Sequence, residues 1–406
     1  MVDILAAPQQ IEAESKADTG LRTLALISVA HWVSHVHILV LPMLFPFLKA
    51  ALGVDYLQLG FALTVFAVVS ALTQAPTGYL VDHLGARKIL LLGMILGGVS
   101  LILLALHLTY PVLVASAVLL GLANSVYHPA DYAILAAHMD EARMGRAFSI
   151  HTFAGYLGTA VTPVIVAGLM TWVGGTGALA AIGGIGIVVA FSLLLFGVPE
   201  ASAKHQTASG NAPTKQSIIT TALVVLTIFF MLLGLSTAGI SNFGLVALMN
   251  GYGASFSTAN VALTAYLGAA AVGVLAGGFL ADHTRRHGQV AAVCFGINTA
   301  IVLVIALVAL PAAILMVAMT VAGFLGGVIA PSRDMLVRNA APPGAAGRAF
   351  GLVSTGFNFS GILSPVLFGW IMDQNLPHWV FGLSALFMVL TVALTPFTER
   401  KADARA

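Results

Sequence analysis

Three histidines, His31, His35 and His37, stand in one long apolar stretch of this chain. His128 and Asp131 interrupt a second such stretch, His151 opens a third, and Arg333, Asp334 and Arg338 end a fourth. A charge facing hydrocarbon costs roughly 3 kcal/mol, so ionisable groups in apolar segments mark a polar cavity by default. Their chemistry is proton exchange or ion binding. Imidazole changes charge nearest to neutral pH, and a carboxylate holds or releases its proton according to the bases beside it and the water around it. His31 and His35 are one helical turn apart, a spacing that could hold a transition metal. With no helix-borne acid beside them and no cysteine in reach, no metal is expected.

These side chains need elements to position them, and the composition says which. Charged residues make up 8% of the 406 residues, hydrophobic residues 59%, and the mean hydropathy is +1.00. A soluble domain of this length needs roughly 25% charged residues, so the chain belongs in a lipid bilayer. A net charge of +2 gives no reason to expect a nucleic-acid partner. Cys294 is the single cysteine, which excludes an intrachain disulfide and a cysteine metal cluster. The first 21 residues show no basic segment followed by a short apolar core, so the first membrane helix is expected to act as the targeting signal.

A spanning helix takes about 20 apolar residues. Twelve are expected, at 23–48, 58–81, 88–108, 112–138, 146–171, 176–198, 218–248, 258–281, 290–310, 312–339, 348–372 and 378–397. They divide the chain into a six-helix half at 1–198, a polar linker at 199–217 and a second six-helix half at 218–406. With the N-terminus in the cytoplasm, every Lys and Arg except Lys49 falls on or towards the cytoplasmic side, which puts both termini there. Phe47, Tyr56 and Trp379, near span ends, have the character of interface anchors.

The two halves repeat each other. GYLVDHLGARK at 78–88 is answered by GFLADHTRRHG at 278–288. HPAD at 128–131, GRAF at 145–148 and Pro163 are answered, at an offset of 202, by APSR, by a second GRAF and by Pro365. Gly78 and Gly278 lack side chains and would let neighbouring helices approach closely. Asp82 and Asp282 follow at the membrane edge, where a carboxylate can pair with arginine or cap the next helix.

GYLVDHLGARK resembles the loop pattern G-x-L-x-D-x-x-G-R-[KR]-x-[RK] of the major facilitator superfamily, and the resemblance covers the whole chain. It implies an all-α fold of twelve transmembrane helices in two six-helix pseudo-repeats, which alternate their access between the two sides of the membrane. In that family the loop is a conformational latch, so Gly78, Asp82, Gly85, Arg87, Lys88, Gly278, Asp282 and Arg285 carry over as gating residues. A narrower resemblance runs through 121–163. Tyr127-His128-Pro129, Gly145-Arg146, Gly155-x-x-Gly158 and Pro163 look like the fosmidomycin-resistance branch, which exports small drugs against protons. Gly155, Gly158 and Pro163 read as close packing and a kink in the fifth helix. In that branch an Asn-Asp pair follows the histidine of the first helix; here Ser34 and His35 stand there.

At about 1.5 Å per residue, His31 and Asp131 each lie roughly 12 Å from the cytoplasmic ends of their helices, and Arg333 slightly less. Helices one, four, seven and ten line the cavity in the resembled fold. His31, Asp131 and Arg333 are therefore expected to meet, with the acid and the base facing each other across the pseudo-twofold axis. The expected proton-coupling and substrate residues are His31, His35, His128, Asp131, Arg333 and Asp334. Tyr127, Tyr132, His151, Ser241 and Asn242 are candidate polar lining.

The expected function is secondary transport of a small molecule, with protons as the coupling ion, by efflux of a drug or a small anionic or amphipathic compound. Proton-coupled uptake of an organic acid is the alternative. No phosphate-binding loop and no catalytic pair is visible, so neither ATP use, a cofactor nor an enzyme is expected. The linker is too short for a folded output domain, which weighs against a sensor. The expected setting is the inner membrane, as a monomer among lipids.

Overall fold

The computed structural model describes residues 6–140, 143–198, 200, 220–284, 286–342 and 346–399, with side chains left out at 6–19, 282, 346–347 and 398–399. The expected linker lies outside the described residues apart from Glu200. Every regular element among the described residues is an α-helix. In order they are α1 (Ala6–Met43), α2 (Phe45–Leu52), α3 (Tyr56–Leu84), α4 (Ala86–Leu106), α5 (Tyr110–His138), α6 (Met144–Leu195), α7 (Thr221–Tyr252), α8 (Phe256–His283), α9 (His287–Leu307), α10 (Ala312–Ala340), α11 (Ala346–Asp373) and α12 (His378–Glu399). Lipid offers no hydrogen bonds, so apolar segments of this length satisfy their backbone internally.

Two boundaries differ from expectation. The first span divides at Leu44: Pro42 sits in the last turn of α1, and α2 starts afresh with a proline in its first turn, where a missing N–H costs nothing. The fifth and sixth spans form one element, α6. Its 52 residues would reach about 78 Å if straight, far beyond the roughly 30 Å of a bilayer core. It is broken at Gly174, whose φ of 70° and ψ of −177° suit glycine alone. Phe196, just past its end, accepts a bond from Arg22 in the middle of α1, and His151, near its beginning, stacks on His31. Both ends of α6 thus lie beside the stretch of α1 from Arg22 to His31, so the chain reverses at Gly174. Pro163 is buried inside the helix, away from this break. Among the described residues eleven helices are long and apolar enough to span, and this reversal makes twelve passes.

The halves meet unequally along their length. α3 packs on α11 and α6 on α8. The apolar cluster that joins the halves includes Leu44, Phe45 and Leu59 with Phe243, Leu248, Phe368 and Met372, at the end where α1 stops. A second cluster, built from Leu24, Ile27, Val81, Leu90, Ile134 and Val198, belongs to the first half alone and lies at the opposite end. The bundle is closed at one end, and open at the end where α1 begins and α12 finishes.

Polar contacts seal the closed end. Asp373, the last residue of α11, accepts from the backbone N–H groups of Tyr56 at 2.9 Å and Leu57 at 2.7 Å, so it caps the first turn of α3 from the other half. Lys49 lies 3.8 Å from the same carboxylate and 4.3 Å from the centre of the Tyr56 ring. Asn250 donates to the Tyr56 hydroxyl at 3.0 Å, and Thr64 to the carbonyl of Ile362 at 2.8 Å. Tyr56 is buried among these groups, so it joins the halves and does not anchor the protein at the lipid interface as expected. Trp379 is half exposed, and Phe47 packs into the space left by the missing side chain of Gly175.

Candidate functional site

Three helices bring one carboxylate and four imidazoles together. α1 supplies His31 and His35 a turn apart, α5 supplies His128 and Asp131, and the first part of α6 supplies His151. Nδ1 of His31 lies 3.4 Å from Oδ2 of Asp131, and Nε2 of His151 lies 3.5 Å from that same oxygen. All three residues are buried. The His31 ring stacks on His151 at 3.9 Å between centres and stands 4.8 Å from His35 and 5.3 Å from His128.

Small residues on α6 make this convergence possible. A Cβ at Gly155 would lie 2.7 Å from Nε2 of both His31 and His35, and one at Gly158 would press on the backbone of Trp32. The expected close packing of α6 is therefore packing against α1, and it holds the histidine rings. Nδ1 of His35 is fixed at 2.8 Å from the Thr159 hydroxyl, one turn beyond Gly155. His37 points away from the group, at 3.3 Å from the carbonyl of Ile182, and reads as packing.

The central atoms are unsatisfied. Both carboxylate oxygens of Asp131, Nδ1 of His31 and both ring nitrogens of His151 are buried without hydrogen-bond partners, since the close approaches miss hydrogen-bond geometry. A buried polar group left unmade costs about 1–3 kcal/mol, so five such atoms in one place set this group apart from ordinary packing. The Tyr127 hydroxyl, also buried and unpartnered, is a further such atom on α5.

Arg333 is elsewhere. Its Nε donates to Asp334 at 2.9 Å, and its guanidinium lies 5.0 Å from the centre of Phe230 and 5.1 Å from that of Phe357. Aromatic faces and one carboxylate hold this cation in place of water. The expected Asp131–Arg333 pair is thus corrected: the carboxylate of Asp131 faces His31 and His151, and Arg333 pairs with its own neighbour. The physical reason is the open end, which parts α5 from α10 while α1 and α6 stay packed with α5 inside one half. The two groups still face a common space. Tyr132, exposed on α5, lies within electrostatic reach of both Asp131 and Asp334, and Arg333 within reach of Tyr156. His128 is exposed beside Tyr132, at 5.7 Å between ring centres. Ser241 and Asn242 are half-buried on α7.

The doubled loop is only partly in its expected role. A Cβ at Gly78 or Gly278 would meet nothing within 4 Å, so neither glycine permits a close approach here. Asp82 is exposed and forms no ion pair among the described residues, and Lys88 is exposed nearby. The cap expected from it comes from Glu200, which accepts from the backbone N–H of Arg87 at 3.1 Å and lies against Gly85, a residue with φ of 98°. The side chain of Asp282 and all of Arg285 lie outside the described residues.

Two partnerships escaped the sequence reading. His151 was placed among lining groups, although its helix faces His31 once Gly155 and Gly158 are read as an α1 contact. Asp373 carried no signal beyond being an acid at the end of a span.

Twelve passes in two halves, parted at one end around buried ionisable groups, describe a membrane carrier. The sequence model of the Major Facilitator Superfamily matches residues 27–252 and 224–405, and the chain belongs to that family. It is a transporter and not an enzyme. The chain is 26% identical over 400 residues to the fosmidomycin resistance protein of Escherichia coli (strain K12), covering 94% of each. It is 25% identical over 294 residues to an uncharacterized transporter of the same superfamily, YfnC of Bacillus subtilis (strain 168), covering 70% of this chain and 71% of that one. Among solved structures it resembles a bacterial homologue of the human lysosomal transporter Spinster in an inward-facing, occupied conformation. That match has a TM-score of 0.77 at 15% identity and covers 93% of this chain and 96% of that one. The nucleoside transporter NupG gives a TM-score of 0.75 at 15% identity, covering 93% and 98%. These likenesses concern the fold alone.

Proposed function

We propose that the protein exports a small anionic or amphipathic compound across the inner membrane in exchange for protons, by alternating access. The observation that carries this reading is the Asp131 carboxylate, buried with His31 and His151 against one oxygen and no hydrogen bond to either. A carboxylate so placed is costly to leave ionised while it is buried, and gives its proton up when water or a cation reaches it, which is what an exchanging site needs. His35, one turn beyond His31 on α1, and His128, one turn before Asp131 on α5, extend the group towards the middle of the bundle, and the exposed His128 passes protons between it and water. Arg333, held between Phe230 and Phe357, is the one to meet the negative part of a substrate, and the aromatic faces meet its apolar part. Tyr132 and Tyr156 stand between the two sites, so arrival of one ligand is felt at the other.

Lys and Arg gather at the open end, which by the positive-inside rule faces the cytoplasm, together with both chain ends. The conformation is then inward-facing. Efflux is supported by the likeness to the fosmidomycin resistance protein. Binding of the compound from the cytoplasm, closure, release outside as Asp131 takes up a proton, and return with that proton given up to the cytoplasm complete one exchange.

The test uses proteoliposomes holding a pH-sensitive dye, challenged with phosphonates, organic acids and cationic drugs. Wild type is expected to move protons in response to an anionic compound, and Asp131→Asn to lose at least about 90% of that response while still binding the compound. Proton movement undiminished in Asp131→Asn would reduce that residue to a structural contact, and a response to cations alone would overturn the role given to Arg333.

A further inference from the structure

The expectation that no metal binds rested on there being no acid beside the histidines, and the fold supplies one. We propose that His31, Asp131 and His151 form a site for a divalent transition-metal ion of the zinc, cobalt or nickel type.

Two of the three spacings are those of a coordination shell. Metal–nitrogen and metal–oxygen distances of about 2.0–2.2 Å in a tetrahedral site put neighbouring ligand atoms about 3.3–3.6 Å apart. Here two of the three edges are 3.4 and 3.5 Å, both ending on Oδ2 of Asp131, and all three ligand atoms lie within 4.8 Å of one another. A proton can serve one nitrogen–oxygen pair at a time. A cation at the centre would engage His31 Nδ1, His151 Nε2 and the carboxylate together, and these are atoms that lack any hydrogen bond. The same off-axis approach that spoils hydrogen bonding is what an ion between the three atoms requires. Two imidazoles with one carboxylate select borderline metals over magnesium or calcium, which prefer an all-oxygen shell.

The surroundings support the shell. Three helices fix the ligands, Gly155 and Gly158 keep α1 and α6 close, and Thr159 holds His35 beside the site. The fourth position faces His35 and His128, whose rings are 4.8 and 5.3 Å from that of His31. His128 is exposed beside Tyr132, next to the site. Binding stands apart from the transport reading, since it depends only on these atoms and would hold even if protons were not the coupling ion.

The experiment is equilibrium binding of Co²⁺ and Zn²⁺ to the purified full chain in detergent, freed of any polyhistidine tag. One ion per chain is expected, with visible absorption of the intensity that four-coordinate cobalt gives, undisturbed by a large excess of Mg²⁺. Asp131→Asn and His31→Gln should each weaken binding by at least about 100-fold, and His107→Gln, which changes an exposed histidine remote from the site, should not. His151→Cys guards against a mere folding defect: it should retain binding and add a thiolate-to-cobalt charge-transfer band. Binding that survives both Asp131→Asn and His31→Gln, or no binding by a folded wild type, would overturn the proposal.

Discussion

The group around Asp131 is held by the absence of side chains as much as by their presence. Gly155 leaves room that the ends of His31 and His35 fill, and a methyl group there would stand 2.7 Å from both Nε2 atoms. Gly155→Ala should therefore cost about 1–3 kcal/mol of stability and displace both rings, with the bond from His35 to Thr159 the first to break. A lowered unfolding temperature together with a reduced proton response is the expected pair of results. Wild-type values of both would mean that the rings shift freely and that helix contact does not set the site. Much of this was legible beforehand. His31 and Asp131 were placed at one depth by counting residues, and Gly155 with Gly158 was read as a packing surface. Depth along a helix says nothing of rotation about it or of the gap between halves, which is why Asp131 was assigned to Arg333 and meets histidines instead.

At the scale of helices, one contact joins the halves in a way that local sequence hides. Asp373 ends α11 and caps α3, whose own start already carries a capping box from Asp55 and Gln58. The second cap belongs to the closed state alone, because it must be undone for this end to open. Losing an N-terminal cap costs about 1 kcal/mol, up to roughly 2 where a charge is involved. Asp373→Ala should thus move the balance between the two conformations about 5- to 30-fold towards opening of the sealed end. Spin labels placed on α3 and α11 at that end, in a Cys294→Ser background, would show a longer distance population growing in the variant. An unchanged distance distribution would mean that the apolar cluster around Phe45, Phe243 and Phe368 closes this end unaided. Such a contact has no signature in the chain, since it links residues more than 300 positions apart and each reads locally as an ordinary helix end.

For the molecule as a whole, the doubled loop makes sense only if the open end also closes. The all-helical fold of twelve helices is legible because hydrophobic length survives in sequence, whereas the conformation is not, because both states use the same helices. The two glycines explain the difference between expectation and finding. On α3, Gly60 lies so close to the backbone of Pro365 on α11 that no side chain fits, and Gly78 lies 18 residues further along the same helix. At 100° per residue that is about five full turns, which puts Gly78 on the same face about 27 Å away. The face that α11 occupies at the closed end is thus continued by a bare glycine at the open one, where a Cβ now meets nothing within 4 Å. If the halves rock, Gly78 is expected to take over the close approach that Gly60 gives up. Gly78→Leu should then leave the stability of the observed conformation within about 0.5 kcal/mol of wild type, while lowering transport at least about 10-fold. The same spin-label distances should lock at the values of that conformation whatever gradient is imposed. A Gly78→Leu protein that transports at the wild-type rate would place this face against lipid in both states, and the repeated loop would then serve only to set topology.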